Sequence, residues 1–253
     1  MTWTPMETYY QHALSGLVAS YAADGYPVAN LLDGFEGTLW KSTSISTQYI
    51  TYDAGSGNAY PADYFGAQNH NLHTAGAAIV LQYSTDNFAS DIHDAFAEFI
   101  PTTDKAFVRT FASQTKRYWR IKISGAGVAP YMGWARWGAK TVLGFLDGRF
   151  DPYAEKINAN ANVSDGGYLT GVHIKFIERS LSVQFNNAVD ALYAKVKALV
   201  DFCGMTSFLV AWEPTDHSND IWLMRIKDGS INAQFKGFGI VRNISFILVG
   251  RKE

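Results

Sequence analysis

Four polar side chains in a stretch of five residues have the chemistry to bind metals or sugars: Asn69, His70, Asn71 and His73. A zinc site usually needs four ligands, and the stretch contains no Cys, Asp or Glu. Asn and His side chains also form hydrogen bonds with the backbone of their own loop. Three interpretations therefore stay open: a loop held by its own hydrogen bonds, a glycan contact, and a metal site.

Carboxylates recur in the polar segments of the first half. Ca²⁺ is bound by carboxylate and backbone carbonyl oxygens, so these residues are candidate calcium ligands. They are Asp33, Glu36, Asp53, Asp86 and Asp91.

No arrangement typical of an enzyme is present. We find no Ser-His-Asp, paired-carboxylate, P-loop or HExxH signature, and Gly55-Ser56-Gly57 lacks the lysine and helix of a phosphate loop. His173 on an apolar strand and His217 in a polar turn are typical of structural histidines. We therefore predict that the chain is not an enzyme.

Charge and cysteine content restrict the class of protein. The net charge of −2 gives no broad cationic surface for nucleic acid or anionic lipid, so we expect neither partner. No stretch approaches the ~18 apolar residues that span a bilayer, and the N-terminus lacks the pattern of a signal peptide, which favours a soluble, unprocessed chain. Cys203 is the single cysteine, which excludes an intramolecular disulfide, and its apolar neighbours predict a buried thiol without chemistry.

Aromatic side chains make up 15% of the residues, and several lie in or beside predicted loops. Such rings stack on sugars and on neighbouring subunits alike. They are Tyr9, Tyr10, Tyr60, Tyr64, Trp134 and Trp137. For Trp134 and Trp137, burial in the core is the competing interpretation.

The elements that position these residues are short strands. Asn30 to Trp40 (NLLDGFEGTLW) is an apolar pair followed by an Asp-Gly turn, and Arg117 to Ser124 alternates apolar and polar residues with period two. Similar patterns predict the remaining strands at Gln48 to Asp53, Ala62 to Phe65, Ala77 to Ser84, Phe107 to Phe111, Tyr131 to Trp137 and Lys140 to Phe145. This order predicts an antiparallel β-sandwich or jelly roll with Trp40 and Trp119 buried.

The second half follows a different pattern. Residues 144–167 are rich in Asp-Gly, Asp-Pro, Asn and Ala and are predicted to be a linker or a long loop. Residues 187–202 have helical spacing, with Asn187 and Gly204 as expected caps. The predicted strands are His173 to Ile177, Ser180 to Phe185, Ser207 to Trp212, Ile221 to Lys227, Ser230 to Gly237 and Ile240 to Val249. We therefore expect a mainly β chain with domains at 1–143 and 168–253, the second an α+β domain or small sandwich with one helix.

The first half resembles the discoidin-like (F5/8 type C, galactose-binding-like) jelly roll, in the form found in bacteriophage tail proteins. The resemblance covers residues 25–143 and is carried by four segments. They are Ala29 to Trp40, Tyr49 to Gly55, Ala62 to Ser84 with its HNL turn, and Arg117 to Ile123.

This resemblance implies a carbohydrate-binding-type domain, with Asn69, His70, Asn71, His73 and Trp134 as the residues for a host surface glycan. It also implies that Ca²⁺, if bound, lies near Asn30 and Asp33, where many members of the family hold it. The chain lacks the cysteine pair of secreted members, which agrees with folding in a bacterial cytoplasm.

The second half is similar, in the order of its elements alone, to the β-sandwich-plus-helix of phage tail-tube, hub and distal-tail proteins. The resemblance implies a virion component: a tail-tip or baseplate subunit that forms a ring with itself and contacts other tail proteins. Because a core of about 85 residues leaves open sheet edges, we expect that the second domain assembles, with Ile244 and Phe246 in the contact. The alternative function is a free carbohydrate-binding module or lectin-like adhesin.

Overall fold

The structure is a computed structural model that describes residues 3–12, 15–147, 150–236 and 241–252. The chain forms two compact units. Unit 1 comprises Met1–Glu7 and Val142–Glu253, and unit 2 comprises Thr8–Thr141. No helix in the described part of the chain is long and apolar enough to cross a membrane.

The described strands account for most of the regular structure. In chain order they are β1 (Met6–Tyr9), β2 (Val18–Ala19), β3 (Trp40–Lys41), β4 (Gln48–Asp53), β5 (Tyr60–His70), β6 (Ala78–Ser84), β7 (His93–Asp94), β8 (Phe107–Lys116), β9 (Tyr118–Ser124), β10 (Tyr131–Gly138), β11 (Thr141–Gly144), β12 (Glu155–Val163), β13 (Leu169–Ala188), β14 (Phe208–Ala211), β15 (Ile221–Ile226), β16 (Asn232–Lys236) and β17 (Val241–Arg251). The α-helix α1 spans Asp190–Cys203, and short 3-10 helices span Val28–Leu31 and Lys227–Gly229. The prediction of a mainly β chain with one α-helix is therefore confirmed.

Unit 2 contains two antiparallel sheets, with strand orders β3-β10-β5-β8 and β2-β4-β9-β6-β7. Strand β9 illustrates how these sheets form a core. Trp119, Ile121 and Ile123 are buried at alternate positions, so one face of the strand packs into the core. Trp40 is also fully buried, and its indole Nε1 donates to the carbonyl oxygen of Tyr21 at 2.9 Å. The predicted burial of Trp40 and Trp119 is confirmed, and this hydrogen bond attaches the 30–40 turn to the preceding loop.

Unit 1 is built on an eight-stranded sheet with the order β11-β1-β14-β15-β17-β13-β12, and β16 pairs with β17 beyond this path. Helix α1 buries Val196, Leu199 and Cys203. Its C-terminal cap is Gly204 as predicted, but Val189 occupies the N-cap position without a side-chain hydrogen bond. The predicted cap, Asn187, instead has a left-handed backbone with φ of 56°.

The structure divides the chain differently from the predicted domains. Strand β1 lies in the sheet of unit 1, and residues 155–163 of the predicted linker form β12. The two strands predicted at 173–177 and 180–185 are one continuous strand, β13. Gly237 and Ile240, which bounded two predicted strands, lie outside the described residues.

The structure corrects the prediction that Ile244 and Phe246 lie in a contact between subunits. Ile244 is fully buried and pairs with β13 on one side and β16 on the other, and Phe246 is 5% exposed and pairs with β13. Both side chains are packed within unit 1, so they leave almost no surface for a contact with another subunit. Their alternation with less buried neighbours is that of an ordinary half-buried strand.

The N-terminal residues are attached to unit 1 by a buried carboxylate. Glu213 is 2% exposed and accepts hydrogen bonds from the backbone and hydroxyl of Thr4 and from the backbone N–H groups of Asp216 and His217. Burial by itself raises the pKa of a carboxyl group, but these hydrogen bonds outweigh burial and lower the pKa of Glu213 to about 2. The carboxylate is therefore ionised at neutral pH and holds residue 4 in place.

Unit 2 is inserted between two neighbouring strands of unit 1. Strands β1 and β11 are adjacent in the sheet, and the hydroxyl of Thr8 donates to the carbonyl oxygen of Thr141 at 3.3 Å. The gap between Thr8 and Thr141 is short enough for a flexible linker of about eight Gly and Ser residues to replace the residues between them. We predict that the shortened chain folds and melts cooperatively, as measured by circular dichroism. A chain without strand signal would show that unit 1 needs the inserted residues.

Candidate functional site

The 69–73 loop of unit 2 is held mainly by hydrogen bonds to backbone groups of segments distant in sequence. His70 is buried; its Nε2 lies 3.0 Å from the carbonyl oxygen of Lys105, and its Nδ1 accepts from the backbone N–H of Leu72 at 3.3 Å. The ring is therefore neutral, with the proton on Nε2. Burial lowers the pKa of His70 to about 4, although the carboxylate of Asp104 lies 3.8 Å from Nδ1.

Asn71 and His73, two other predicted ligand-binding residues of this loop, also contact backbone groups of distant segments. Asn71 is buried, donates to the carbonyl oxygen of Ala129 at 3.2 Å and accepts from the backbone N–H of Tyr131 at 2.8 Å. His73 is exposed, but its Nδ1 lies 2.9 Å from the carbonyl oxygen of Pro101. Asn69 is half-buried. These contacts favour a structural loop, and glycan binding by these residues stays a prediction.

Trp134 is 2% exposed, so its ring is not presented to solvent. It lies on β10, and the guanidinium carbon of Arg136 is 4.9 Å from the centre of its ring. The expectation that Trp134 stacks on a sugar is corrected, because a buried ring has no free face for a ligand. The structure favours the competing interpretation, a core tryptophan.

The 30–40 turn presents one large apolar side chain. Phe35 is 69% exposed, and Asp33 fixes the turn by accepting from the backbone N–H of Phe35 at 2.8 Å and the hydroxyl of Thr38 at 2.7 Å. The amide of Asn30 donates to the carbonyl oxygen of Leu39 at 2.9 Å. In the described residues no three His, Cys, Asp or Glu side chains form a metal-ligand group, and calcium at Asn30 and Asp33 stays a prediction.

The sequence did not predict the surface formed by β12 and residues 169–177 of β13. These two segments pair as an antiparallel two-stranded ribbon, and we call them the hairpin. Residues paired across two antiparallel strands share a face of the sheet. Four consecutive same-face pairs are apolar, and we call their side the apolar face. The pairs are Ile157 with Ile177, Ala159 with Ile174, Ala161 with Val172, and Val163 with Leu169.

The opposite face of the hairpin is mostly polar. It carries Asn158, Asn160 and Asn162 on β12, and His173 opposite Asn160. The apolar face is nevertheless open to solvent; Ile174, for example, is 54% exposed. The hairpin is thus amphipathic, and no described residue covers its apolar side.

Neither edge of the hairpin has a neighbour among the strands that the structure describes. Strand β12 is the last of these strands in its sheet. Strand β13 pairs with β17 only from Glu178 onward, and the carbonyl oxygen of Ile177 accepts from the backbone N–H of Lys252 at 2.9 Å. Among the described strands, none pairs with the outer edge of residues 169–176. Unpaired edges beside an apolar face are typical of surfaces that bind another strand.

No family model matches this sequence, and a search of curated proteins also finds no match. Several of the solved structures that resemble about half of the chain are carbohydrate-binding modules. Chitosan-binding module 1 of a chitosanase/glucanase from Paenibacillus sp. IK-5 is 18% identical, covers 50% of this chain and 96% of its own, and has a TM-score of 0.42.

Two further structures show a similar likeness. The CBM32 of AlyQ, in complex with 4,5-unsaturated mannuronic acid, is 23% identical over 50% of this chain and 96% of its own, with a TM-score of 0.40. A CBM32 module from Clostridium perfringens, in complex with GalNAc-β-1,3-galactose, is 14% identical over 49% of this chain and 94% of its own, also with a TM-score of 0.40.

Burial of neutral His70 makes the stability of unit 2 depend on pH. The pKa of His70 is about 4 in the folded chain and near 6.5 when unperturbed, so its contribution is complete above pH 6.5 and is lost as pH falls from 6.5 to 4. In His70→Gln, we expect a loss of about 1–3 kcal/mol at pH 7.5 and a weaker pH dependence between pH 6.5 and 4. Urea denaturation at a series of pH values measures both. Equal pH dependence in the two proteins would contradict this role.

Proposed function

We propose that the chain is a structural subunit that self-associates through the hairpin into a closed ring and carries unit 2 as a carbohydrate-binding-type domain. The observation that supports this best is the exposed apolar face, flanked by two unpaired strand edges.

The exposed apolar face of the hairpin is expected to be buried against another molecule. An isolated two-stranded hairpin is marginally stable in water, and contiguous exposed apolar side chains usually mark an interaction site. Burying one Ile, Val or Leu side chain fully contributes about 1.5–3 kcal/mol. Val163, Leu169, Val172 and Ile174 are each more than half exposed. A partner that covers them gains several kcal/mol before the entropic cost of association.

A second copy of the chain fits both the face and the edges. None of the eight paired residues of the apolar face is charged, so copies can approach each other there without charge repulsion. The two free edges belong to different strands, so β12 of one copy can pair with residues 169–176 of the next. Repeating this unlike contact gives a ring when the rotation closes, and closure removes the free edges. The hairpins of such a ring form one closed barrel, in which the apolar faces of all copies point inward and are buried against each other.

The setting we propose is the tip or baseplate of a bacteriophage tail, with the protein assembled in the host cytoplasm and present in the virion. The support for this setting is the sequence resemblance of residues 25–143 and of the strand–helix–strand order of unit 1. Other tail proteins are the partners that this setting implies.

A charge on the apolar face should prevent self-association. In Ile174→Asp, we expect mass photometry of the full chain to show a loss of ring-sized particles, because the carboxylate would be buried without a partner in the contact. The matched control is His173→Asp, the same new side chain on the opposite face of the same strand. It should assemble like the unchanged chain.

Two results would count against this function. One is a monomeric unchanged chain at all concentrations, and the other is equal behaviour of the two Asp variants. Binding of the unchanged chain to lipid vesicles, lost in Ile174→Asp, would identify a membrane as the cover instead of a second copy.

A second candidate function is glycan binding by unit 2, either within the particle or as a free module. The observation that favours it is Phe35, an exposed ring on a turn fixed by two hydrogen bonds to Asp33. An aromatic ring held in this way can stack on the apolar face of a sugar without losing much conformational freedom.

On a glycan array, we expect any signal of the full chain to fall about tenfold in Phe35→Ala, because the stacking ring is lost. Ile45→Ala is the control, since Ile45 is also exposed in unit 2 and lies outside this turn. A signal that survives Phe35→Ala would place the glycan elsewhere, and no signal at all would remove this candidate.

A further inference from the structure

Unit 1 contains a cleft where its central strand changes neighbours. Strand β17 pairs with β16 as far as Ser245 and with β15 from Leu248, which leaves Phe246 and Ile247 between the two partners. The 3-10 helix Lys227–Gly229 and the residues after it border this gap. The result is a cleft of about 430 Å³.

The polar side chains that line this cleft are available for a ligand. Within the described residues, none of them has a side-chain hydrogen bond or ion pair. They are Ser182, Lys227, Asp228, Ser230, Asn232 and Ser245. Ile247, which is also exposed, adds an apolar surface. The cleft therefore offers an ammonium group, a carboxylate, hydroxyls and an aliphatic side chain within one small volume.

The tip of the hairpin carries a complementary set of groups. Its turn is ordered by hydrogen bonds from the backbone N–H of Ser164 to the carbonyl oxygen of Tyr168 and from that of Gly167 to the carbonyl oxygen of Ser164, both 2.8 Å. Tyr168 is 77% exposed, and the carboxylate of Asp165 is exposed beside it. An ordered turn thus presents one carboxylate and one phenol, whose ring and hydroxyl can both make contacts.

The tip and the cleft of one copy cannot meet. Leu169 at the tip and Ser182 at the cleft lie on the same extended strand, β13, roughly 40 Å apart at the usual rise per residue. A contact between the two surfaces therefore requires two copies.

We propose that the hairpin tip of one copy docks into the cleft of a second copy. In this contact, the ammonium group of Lys227 donates to the carboxylate of Asp165, the hydroxyl of Tyr168 donates to the carboxylate of Asp228, and the ring of Tyr168 packs on Ile247. The proposal rests on the self-association proposed above and adds a second, distinct contact between copies. The pairing is directional, because exchanging Lys227 and Asp228 would place like charges together.

A charge reversal with rescue tests this contact. In Lys227→Glu, two carboxylates of the cleft face Asp165, and we expect the concentration needed for half-maximal assembly to rise about tenfold. Combining Lys227→Glu with Asp165→Lys should restore assembly to within about threefold of the unchanged chain. Lys41→Glu is the control, because Lys41 is an exposed lysine of unit 2 and the charge change is the same. Mass photometry of the full chain at a series of concentrations gives these values.

Mixed disulfides test the same contact by distance. Asp165→Cys in one chain and Ser230→Cys in another should form a mixed disulfide on mild oxidation, whereas Asp165→Cys with Ser218→Cys should not. Ser218 is an exposed serine of unit 1 outside the cleft lining.

The outcomes separate this contact from the ring contact. Assembly that is lost in Ile174→Asp but unchanged in Lys227→Glu, with no Asp165–Ser230 disulfide, overturns the tip contact and leaves the proposed function standing. A monomeric chain that still gives the mixed disulfide overturns the ring and supports the tip contact. A monomeric chain without the disulfide overturns both.

Discussion

The length of strand β13 is the constraint on which unit 1 depends. Its twenty residues form one continuous strand, but only the part from Glu178 onward has β17 as a neighbour. In that part Leu181, Val183 and Phe185 are buried, whereas Val172 and Ile174, beyond an irregularity in the pairing with β12, are more than half exposed. A strand that continues past its own core with apolar side chains offers its outer part to another molecule. The proposed ring contact and the proposed contact of the hairpin tip both depend on this extension.

Unit 2 shows how polar residues with the chemistry of a binding site can serve the fold instead. His70 and Asn71 close the end of β5 by bonding to backbone groups of distant segments, because buried donors and acceptors need partners. Burial also keeps the imidazole neutral, so the same group that stabilises the loop makes it sensitive to acid. Phe35, the most exposed aromatic side chain among the described residues of this unit, lies on another loop. The proposed glycan contact and the stabilising hydrogen bonds therefore lie on different turns.

Several elements could be read from local pattern. Gln48–Asp53 has the predicted bounds, and β9 and β10 differ from prediction by one residue at one end, since their alternation is strong and their ends carry turn residues. The hairpin was missed although residues 157–163 alternate strictly, because Ala and Asn are weak strand formers and the flanking Asp-Gly pairs suggested a linker. Only pairing with β13 makes this alternation a strand.

By itself, the sequence determined that the chain is mainly β with one helix, that Trp40 and Trp119 are buried, and that no intramolecular disulfide can form, because these follow from residue type and spacing. The tertiary structure alone decided that β1 joins the sheet of unit 1, that Trp134, Ile244 and Phe246 are interior, and that the apolar face of the hairpin is exposed. A strand pattern shows that one face is apolar, but it does not show which neighbour covers that face. That depends on contacts between residues far apart in the chain, which local alternation does not encode.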